Sequence, residues 1–529
     1  MGATMTASLS LINHAPVVPL LIALLTASVT LLSRRSIKLT ISLSLLGMFA
    51  YVVSLLYLLR SVQHGPLVYQ FSAWPAPYGI SFVADSFASL LLCISAIITA
   101  GVLLYSITTI DESKQKFSYH SILHFMLFGV TGALLTGDLF NLFVWFEVTL
   151  MTSYVLVVFH SNPKQTKAGM TYVILNLIGS AFMLVSIGGI YATTGTLNLA
   201  DLSHRLSQPD LYNISVPSVI LFSMILFTVF ALKSGLVPLH FWVPLVYQAA
   251  PSPVSALLSG VVKKVGLYAM IRIFFTVFIS NESTLVGEFS ILTIFGISLL
   301  LLSSASMIFG GISALSQDNI DNLLAYSSIS QMGFIMLPLS LAALFPSMRQ
   351  MALMATIILT LNHSLAKASL FLVSGCIKNA IGSANLSDLG GLSRHSPILS
   401  FSVFISIFSL VGFPPLFGFF GKLHLLILPL NTESVPTTYS ILLVLIILVG
   451  TILSLLYSVR LWNLGFWGEI SPKVSASTFP RSNQYVILLF SIMLISFGIG
   501  FEFISPLIES ASISAIDSSG YIEAVLYHK

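Results

Sequence analysis

Seven of the 22 lysine and arginine residues in this 529-residue chain lie within long apolar stretches or at their ends. They are Lys233, Lys263, Lys264, Arg272, Lys367, Lys422 and Arg460. If these stretches span a membrane, each cation at the bilayer centre costs at least ~2.5 kcal/mol on insertion scales. A chain that carries several such cations is expected to use them, and buried lysines indicate movement of ions or protons.

A carboxylate lies in a similar setting. Glu147 ends the run 137–147 (GDLFNLFVWFE), about two helical turns into an apolar segment. A carboxylate there is either ionised beside a cation or neutral and protonated. Lys233 is the predicted partner, and separation of the pair would favour proton transfer from the lysine to the glutamate. The alternative is a purely structural ion pair, although such pairs seldom stabilise a protein more than packed apolar residues do.

Lys263 and Lys264 are adjacent, so on a helix they point about 100° apart. We therefore predict that they do not both serve one site. Either side chain can instead extend towards a membrane interface, and this alternative applies more to Lys263 than to Lys264. Lys264 is the predicted site residue, with Lys263 as a possible addition.

His363 and Lys367 are four residues apart and share one helical face. A histidine that titrates near neutral pH beside a desolvated lysine can pass protons. Lys422 continues the row, and hydroxyl groups and water between these side chains would complete a proton wire. The alternative for His363 is a structural hydrogen-bonding role.

Two apolar stretches are interrupted by proline and glycine. The first is 233–244 (KSGLVPLHFWVP) and the second is 410–422 (LVGFPPLFGFFGK). Proline inside a helix removes a backbone donor, so each stretch is expected to kink or unwind. Paired breaks in corresponding halves indicate a transporter built from inverted repeats, and two ordinary kinks are the alternative. His240, in the first break, would either join the proton wire or cap freed carbonyl groups.

Composition places these residues in a membrane. Hydrophobic residues make up 56% of the chain and charged residues 8%, with a mean hydropathy of +0.98. These values exclude a soluble protein and predict an all-α polytopic membrane protein. We predict about fourteen transmembrane helices, near 17–33, 38–59, 80–108, 119–137, 139–160, 169–192, 216–245, 253–279, 288–313, 322–345, 350–377, 397–424, 438–461 and 484–508.

The remaining cations are distributed unevenly between the loops. The net charge of +4 is too small and dispersed to indicate nucleic-acid binding. With the N-terminus outside, eleven cations fall in inside loops: Arg34, Arg35, Lys38, Lys114, Lys116, Lys164, Lys167, Lys378, Arg394, Lys473 and Arg481. Four fall outside: Arg60, Arg205, Arg349 and Lys529. The positive-inside rule then places both termini outside.

The sequence offers no signature of a cofactor, a metal or a catalytic residue. Cys93 and Cys376 lie in apolar patterns without C-x-x-C spacing, which predicts buried, inert thiols. There is no phosphate-binding loop, haem-attachment motif or dinucleotide fingerprint. We therefore predict neither cofactor, metal nor redox chemistry in this chain.

Five motifs in fixed order carry a family resemblance. They are the run 137–147, the break at 233–240, APSPVSA (250–256) followed by KVGLYAMIR (264–272), LLAYSSISQMG (323–333), and the break at 412–422. Together they resemble the antiporter-like subunits shared by respiratory complex I, membrane-bound hydrogenases and Mrp-type multisubunit cation/proton antiporters. The resemblance covers most of residues 80–470, and the run before Glu147 looks most like the D-type subunit of Mrp antiporters and its hydrogenase counterpart.

The resemblance implies roles for individual residues. It implies a Glu147–Lys233 charge pair, Lys264 as a connecting residue, His363 and Lys367 as a central relay, and Lys422 as a terminal proton site. The sequence departs from the family pattern at three places: at Leu245, where an Asp is usual, at Asp321-Asn322, which replace a basic pair, and at Asn362, which replaces the first histidine of a pair.

The predicted organisation is three leading helices (1–118), two inverted five-helix repeats (119–279 and 288–461), and a last helix with a C-terminal tail (462–529). The expected function is proton translocation, without enzymatic activity, in a plasma-membrane complex that exchanges Na⁺ or K⁺ for H⁺, with other hydrophobic subunits as partners. One alternative is a proton-pumping subunit, and so part of a translocase, of a hydrogenase-type or complex I-type redox complex. Another is a purely structural membrane subunit.

Overall fold

The computed structural model describes residues 14–281, 290–430 and 435–527, and these residues are predominantly helical, as predicted. Among them, eleven helices are long and apolar enough to cross a membrane. Shorter apolar helices, such as Val18–Leu32 and Tyr119–Leu135, accompany them. An all-α polytopic membrane fold is confirmed, while the number of fourteen spans stays a prediction.

The principal elements follow in chain order. The bounds are α1 Val18–Leu32, α2 Ile37–Ser61, β1 Leu67–Gln70, β2 Ser81–Ala84, α3 Ser86–Thr109, α4 Tyr119–Leu135, α5 Leu139–Val157, α6 Pro163–Thr194, α7 Leu199–Leu206, α8 Val216–Ser234, α9 Trp242–Ala249, α10 Ser252–Val277, α11 Ile291–Leu315, α12 Ile320–Leu344, α13 Arg349–Ile381, α14 Pro397–Val411, α15 Phe417–Ile427, α16 Thr437–Leu461, α17 Arg481–Ile499, α18 Phe501–Ile516 and α19 Ser518–Leu526. Single helical turns, such as Glu112–Gln115 and Pro472–Ser475, lie in the connections.

Three helices form the centre of the bundle. α10, α12 and α13 are buried over nearly their whole length, and α13 packs against α12, α15 and the first turns of α10. A helix that is apolar on all sides and buried on all sides lies in a protein core. Lys263 and Lys264 lie on α10, and His363 and Lys367 lie on α13, so the ionisable row runs through the centre of the fold.

The two ends of the bundle differ. At one end, here called the hairpin end (62–85, 136–138, 195–215 and 509–521), β1 pairs antiparallel with β2, and the Gly137 amide donates to the Ser81 carbonyl (2.8 Å). At the other, the basic end (110–118, 158–167, 316–321, 378–391 and 462–480), Arg460 pairs with Asp318 (2.6 Å). Lys473 pairs there with Asp388 (2.7 Å).

Both predicted helix breaks are present. α8 ends at Gly235 (φ +68°) and α9 begins at Trp242, while α14 ends at Gly412 (φ +90°) and α15 begins at Phe417. A left-handed residue at a helix C-terminus favours glycine. Here the glycines also make room: a Cβ on Gly235 would lie 3.1 Å from Lys263 Cε, and one on Gly412 would lie 2.8 Å from Lys422 Cδ. Each break is therefore packed against a lysine of the row.

Matching features occur in inverted positions. Asp138, before α5, forms an isolated β-bridge with Asn198, after α6, at the hairpin end. Asn319, before α12, forms the same bridge with Asn385, after α13, at the basic end. In each half, the residue that precedes the second helix (α5 or α12) is bridged to a residue that follows the third helix (α6 or α13). This agrees with inverted repeats, whose boundaries at 119–279 and 288–461 remain predictions.

Some sequence expectations need correction. The span predicted at 80–108 begins later, because residues 81–84 form β2 and Asp85 caps α3 by accepting a hydrogen bond from the Ala88 amide. The span predicted at 484–508 is interrupted at Gly500, which separates α17 from α18. The predicted tail contains two helices, α18 and α19, that pack on the bundle. Helices that are short and partly polar are not predicted when hydropathy is averaged over a window as long as a membrane span.

Candidate functional site

The centre of the row is a hydrogen-bonded cluster between α10, α12 and α13. Lys264 Nζ lies 3.0 Å from His363 Nδ1, and His363 Nε2 lies 3.2 Å from Ser328 Oγ. Lys263 Nζ donates to the same Ser328 Oγ at 3.4 Å. All four side chains are buried. Two lysines, one histidine and one serine thus form a continuous polar chain inside the bundle.

The prediction that Lys263 and Lys264 do not share a site is wrong. They do point in different directions from α10, but His363 and Ser328 lie between them and are reached from both sides. Neither lysine extends to an interface, because Lys263 is 0% and Lys264 4% exposed. The 100° between the two side chains on α10 is bridged by the histidine ring, because one ring nitrogen faces Lys264 and the other faces the serine that Lys263 contacts.

Lys367 lies on the same side of α13 as His363, as predicted. Its ammonium group donates to the Leu324 carbonyl (3.0 Å) and to Ser327 Oγ (2.5 Å), and it is fully buried. Ser327 and Ser328 are adjacent on α12, so the contacts of Lys367 and those of His363 meet at one serine pair. The motif 323–333 supplies these hydroxyl groups.

Lys422 lies in α15, just after the second break. Its ammonium group donates to Ser454 Oγ on α16 (3.2 Å) and lies 4.1 Å from the ring centroid of Phe334 on α12. A cation over an aromatic face is stabilised electrostatically. Lys422 therefore lies at the α12–α16 side of the bundle, farther along the same core helix that faces Lys367.

Polar groups continue between these two lysines. On α12, Ser327 is followed one turn later by Gln331, whose amide donates to Tyr457 Oη on α16 (3.0 Å). Ser454, the partner of Lys422, lies one turn before Tyr457 on α16. Gln331 and Tyr457 are both buried. Sequence reasoning missed this pair, since an isolated Gln and Tyr in apolar helices carry no distinctive spacing.

Glu147 and Lys233 lie at the other end of the row. Ser180 on α6 donates a short hydrogen bond to Glu147 Oε1. Lys233 Nζ lies 5.1 Å from the Phe146 ring centroid and has no hydrogen-bond partner among the described residues. The two charged groups are not within ion-pair distance of each other in residues 14–281, so the predicted pair is open in this conformation.

A small enclosed cavity adjoins Lys233. Lys233, Thr149, Tyr172 and Asn176 contribute to its lining, and the volume open to the centre of a water molecule is about 10 Å³. That is about the space one water needs. A water in this cavity would supply the partner that the Lys233 ammonium group lacks.

His240 lies within the first break but outside the hydrogen-bonded row. Its ring centroid is 4.7 Å from that of Phe241 and 4.9 Å from that of Phe309. Its Nδ1 has no partner in the part of the chain that the structure describes. Of the two alternatives from the sequence, the backbone hydrogen bond between His240 and Pro238 within the break favours the capping of a freed carbonyl group.

Two of the three departures from the family pattern have structural roles. Asn362 joins the second break to the core: Ser409 Oγ donates to its Oδ1 (2.6 Å), and its Nδ2 donates to the Ser409 carbonyl (3.2 Å). Asp321 is buried at the basic end, where Lys378 pairs with it (2.8 Å) and Ser374 donates to it (2.5 Å). Leu245 is half exposed, and nothing in the structure assigns it a role.

The four lysines of the centre and of the second break share one electrostatic property. Within the described ranges none of them forms an ion pair; their partners are hydroxyl, carbonyl, thioether and imidazole groups. The same part of the chain contains no group of three His, Cys, Asp or Glu residues placed to hold a metal ion. The chemistry available to the row is proton transfer among amines, imidazole and hydroxyls.

A helical bundle with two interrupted helices and a buried chain of ionisable side chains is the architecture of an ion-translocating membrane subunit. The chain belongs to the NADH:quinone oxidoreductase/Mrp antiporter transmembrane family, whose model matches residues 136–454. The matched range contains both breaks and every predicted site residue.

Individual proteins agree with this assignment. The chain is 33% identical over 518 residues to the D-type subunit of the Na⁺/H⁺ antiporter of Bacillus subtilis, covering 97% of this chain and 99% of that protein. It is similar to a chain of the Mrp complex from Dietzia sp., with a TM-score of 0.86, 26% identity and coverage of 98% and 99%. It is also similar to a chain of an archaeal membrane-bound sulfane sulfur reductase, with a TM-score of 0.84, 26% identity and coverage of 97% and 100%.

Proposed function

We propose that this chain is the proton-translocating subunit of a multisubunit antiporter that exchanges Na⁺ or K⁺ for H⁺. The observation that carries the proposal is the buried chain Lys264–His363–Ser328–Lys263, with Lys367 bonded to the neighbouring Ser327. The names of the Bacillus subtilis relative and of the Dietzia complex support the antiporter in preference to other ion-translocating machines.

His363 is the centre of the proposed relay because both of its nitrogens have partners. When Lys264 is an ammonium group it donates to Nδ1, and Nε2–H then donates to Ser328 Oγ. When Lys264 has given its proton to Nδ1, loss of the Nε2 proton towards Ser328 restores a neutral ring with the other tautomer. One proton thus crosses the ring while the heavy atoms stay within hydrogen-bond distance.

The leg towards Lys422 uses the polar groups between α12 and α16. A proton leaving Lys367 passes Ser327 and continues along Gln331, Tyr457 and Ser454 to Lys422, with water bridging the single-turn gaps. Hydroxyl groups suit this role because each can accept one proton while it donates another.

The leg towards Glu147 depends on conformation. The carboxylate is held by Ser180 and the Lys233 ammonium group faces Phe146 and the small cavity. Closing the pair stabilises both charges, and opening it favours transfer of a proton from lysine to glutamate. We propose that this opening and closing couples the row to the rest of the complex.

The proposed setting is the plasma membrane, with both termini outside and the basic end inside. The excess of lysine and arginine at the basic end supports this orientation. Other hydrophobic subunits are the proposed partners, protons and Na⁺ or K⁺ the transported ions, and the chain acts as a transporter subunit and not as an enzyme. We retain 119–279 and 288–461 as the proposed repeat boundaries.

The proposal is tested by replacing Lys367 with methionine in the assembled complex and measuring cation-driven proton movement in inverted membrane vesicles. Methionine has similar length and suits an apolar core, so the complex should assemble while transport is lost. Lys116→Met, at an exposed lysine of the basic end, is the matched control and should transport normally. Normal transport by Lys367→Met would favour a purely structural subunit.

The likeness to the sulfane sulfur reductase chain keeps a second function open, that of a proton-pumping subunit in a redox complex. The two functions differ in their partners. Purification of the complex from its native membrane with only small hydrophobic subunits supports the antiporter. Copurification of iron–sulfur or nickel proteins supports the redox complex.

A further inference from the structure

A cavity of about 370 Å³ opens at the hairpin end, between α18, α19 and the beginning of α3. Three carboxylate residues contribute to its lining, Asp85, Glu509 and Asp517, together with polar residues such as Gln63 and Ser514. None of its described lining residues is basic. A concave, water-filled space bordered by carboxylates raises the local concentration of cations and protons. We call this space the vestibule.

The deepest carboxylate of the vestibule belongs to a buried ion pair. Asp85, 1% exposed, accepts from Arg272 Nη2 at 2.6 Å, and Arg272 is 2% exposed. The guanidinium lies against the rings of Phe87, Tyr268 and Tyr521, with its carbon 5.2 to 5.7 Å from their centroids. A buried pair of this kind seldom stabilises a fold more than apolar residues would, so a role beyond packing is indicated.

Polar side chains on α10 extend from this pair towards the central relay. Arg272 Nε donates to Tyr268 Oη (3.2 Å), and Tyr268 Oη donates to the Leu134 carbonyl (2.6 Å). Lys264 lies four residues before Tyr268 on the same face of α10, an axial distance of about 6 Å. Lys264, Tyr268 and Arg272 therefore form one helical stripe that leads from His363 towards the vestibule.

Tyr521 gives independent evidence that water belongs here. This side chain contributes to the vestibule lining and is 3% exposed, and its hydroxyl has no partner among the described residues. Buried polar groups in native proteins are almost always hydrogen-bonded to protein or ordered water. Water from the vestibule is the available partner, and the ring of the same tyrosine lies against the Arg272 guanidinium.

We propose that the vestibule is the port through which protons pass between the hairpin end and Lys264, and that Asp85 and Arg272 are its gate. The proposal rests on the proton row proposed above. A hydronium ion in the vestibule gives its proton to the Asp85 carboxylate and becomes water. The neutral carboxyl group no longer holds the guanidinium, and the pair opens.

The proton then leaves Asp85 for a water beside Tyr268 and reaches the neutral amine of Lys264, which becomes an ammonium group. Asp85 is again a carboxylate and recaptures Arg272, which closes the port. Arginine does not release its proton at working pH, so Arg272 is a fixed positive charge. A fixed charge of this kind repels a second proton and prevents leakage.

The port is tested by modifying a cysteine in the vestibule after the complex has assembled. Ser514→Cys vesicles are treated from one side with a membrane-impermeant, cationic thiosulfonate reagent. We expect loss of most of the cation-driven proton transport, and only when the reagent is on the hairpin side. Ser207→Cys, an exposed serine at the same end but outside the vestibule, is the matched control and should keep its activity after modification.

The gate is tested by removing both of its charges together. The double variant Asp85→Asn/Arg272→Gln leaves no buried charge unpaired, and asparagine preserves the cap of α3. We expect an assembled complex that collapses an imposed pH gradient without added Na⁺ or K⁺. A structural pair would not produce such a leak.

These outcomes separate the port from the row. If Lys367→Met is inactive while modified Ser514→Cys transports normally and the double variant does not leak, the port is wrong and the row stands. If Lys367→Met transports normally, the row itself is wrong, and the port has no relay to supply.

Discussion

Glu147 on α5 and Lys233 on α8 carry opposite charges, yet these two described residues do not form an ion pair with each other. The carboxylate accepts a hydrogen bond from Ser180 on α6, and the ammonium group lies over the ring of Phe146. Each charge therefore has a substitute partner while the pair is open. Substitute partners lower the energy difference between an open and a closed pair, which is a requirement for an element that alternates between two states.

The first prediction concerns this pair. Glu147→Gln and Lys233→Met should each abolish cation-driven proton movement in vesicles, because each removes the charge that its partner stabilises on closing. Both replacements retain side-chain volume, so the complex should be recovered in normal amount.

Ser180→Ala tests the open state of the pair without removing either charge. It removes only the substitute partner of Glu147, so it should slow transport without abolishing it. Wild-type transport by either charge variant would remove the pair from the mechanism.

The second prediction concerns His363. His363→Gln keeps an amide that can bond to Lys264 or Ser328 but cannot pass a proton through a ring, so transport should be lost while the complex assembles. His124→Gln is the matched control: this histidine is also buried and bonds to Ser44 (2.8 Å), away from the row. Equal loss in both variants would indicate a general effect of removing a buried histidine.

The third prediction tests the leg between Lys367 and Lys422. Tyr457→Phe removes the hydroxyl that accepts from Gln331 and leaves the ring in place. We expect proton transport to fall about tenfold or more, by analogy with the loss of a single proton-transfer group. Tyr51→Phe, which removes a buried hydroxyl bonded to Thr131 (2.7 Å) outside the row, should cost only about 1 kcal/mol of stability. Unchanged transport by Tyr457→Phe would require another route to Lys422.

The fourth prediction concerns Lys422. Lys422→Arg keeps the charge, but arginine does not release its proton at working pH, so transport should be impaired although the fold is retained. Lys422→Glu should retain part of the activity, because a buried carboxyl group can bind and release a proton. Normal transport by the arginine variant across the pH range would make Lys422 a fixed charge.

The fifth prediction concerns orientation. Cysteines introduced at Gln63, at the hairpin end, should react with an impermeant reagent added outside, whereas cysteines at Lys164, at the basic end, should react only from inside. Cys376 is buried and Cys93 mostly so, so the background should be low. The opposite pattern would reverse the proposed direction of the port.

The sequence was most informative where a residue is energetically unfavourable in an apolar helix, because such a residue is rarely retained without a role. A lysine in an apolar helix is expensive, so Lys367 and Lys422 could be identified without structure, and the prolines at both breaks located the interruptions. Relations across helices were not predictable. Lys263 reaches Ser328 and Lys264 reaches His363 only because α12 and α13 pack beside α10. The pairing of Asp85 with Arg272 likewise joins residues that are 187 positions apart.

The C-terminal helices were missed for a similar reason. α18 has only 16 residues and is interrupted by Glu502, Pro506 and Glu509, and its contacts with α3 and α13 arise only in the folded bundle. Short amphipathic helices that cover one end of a membrane protein leave little periodic signal in a chain dominated by apolar residues.

The lack of carboxylate partners around Lys263, Lys264, Lys367 and Lys422 within the described ranges has an electrical consequence. Positive charges on neighbouring amines repel one another, and here no carboxylate offsets that repulsion. Few of the amines can therefore be protonated at once, so each proton that arrives displaces another. The number of charges on the row is then nearly constant during turnover, while their position along the membrane normal changes. Each elementary charge moved across the full membrane gains or loses about 2.3 kcal/mol per 100 mV, so turnover should respond to membrane voltage as well as to the proton gradient.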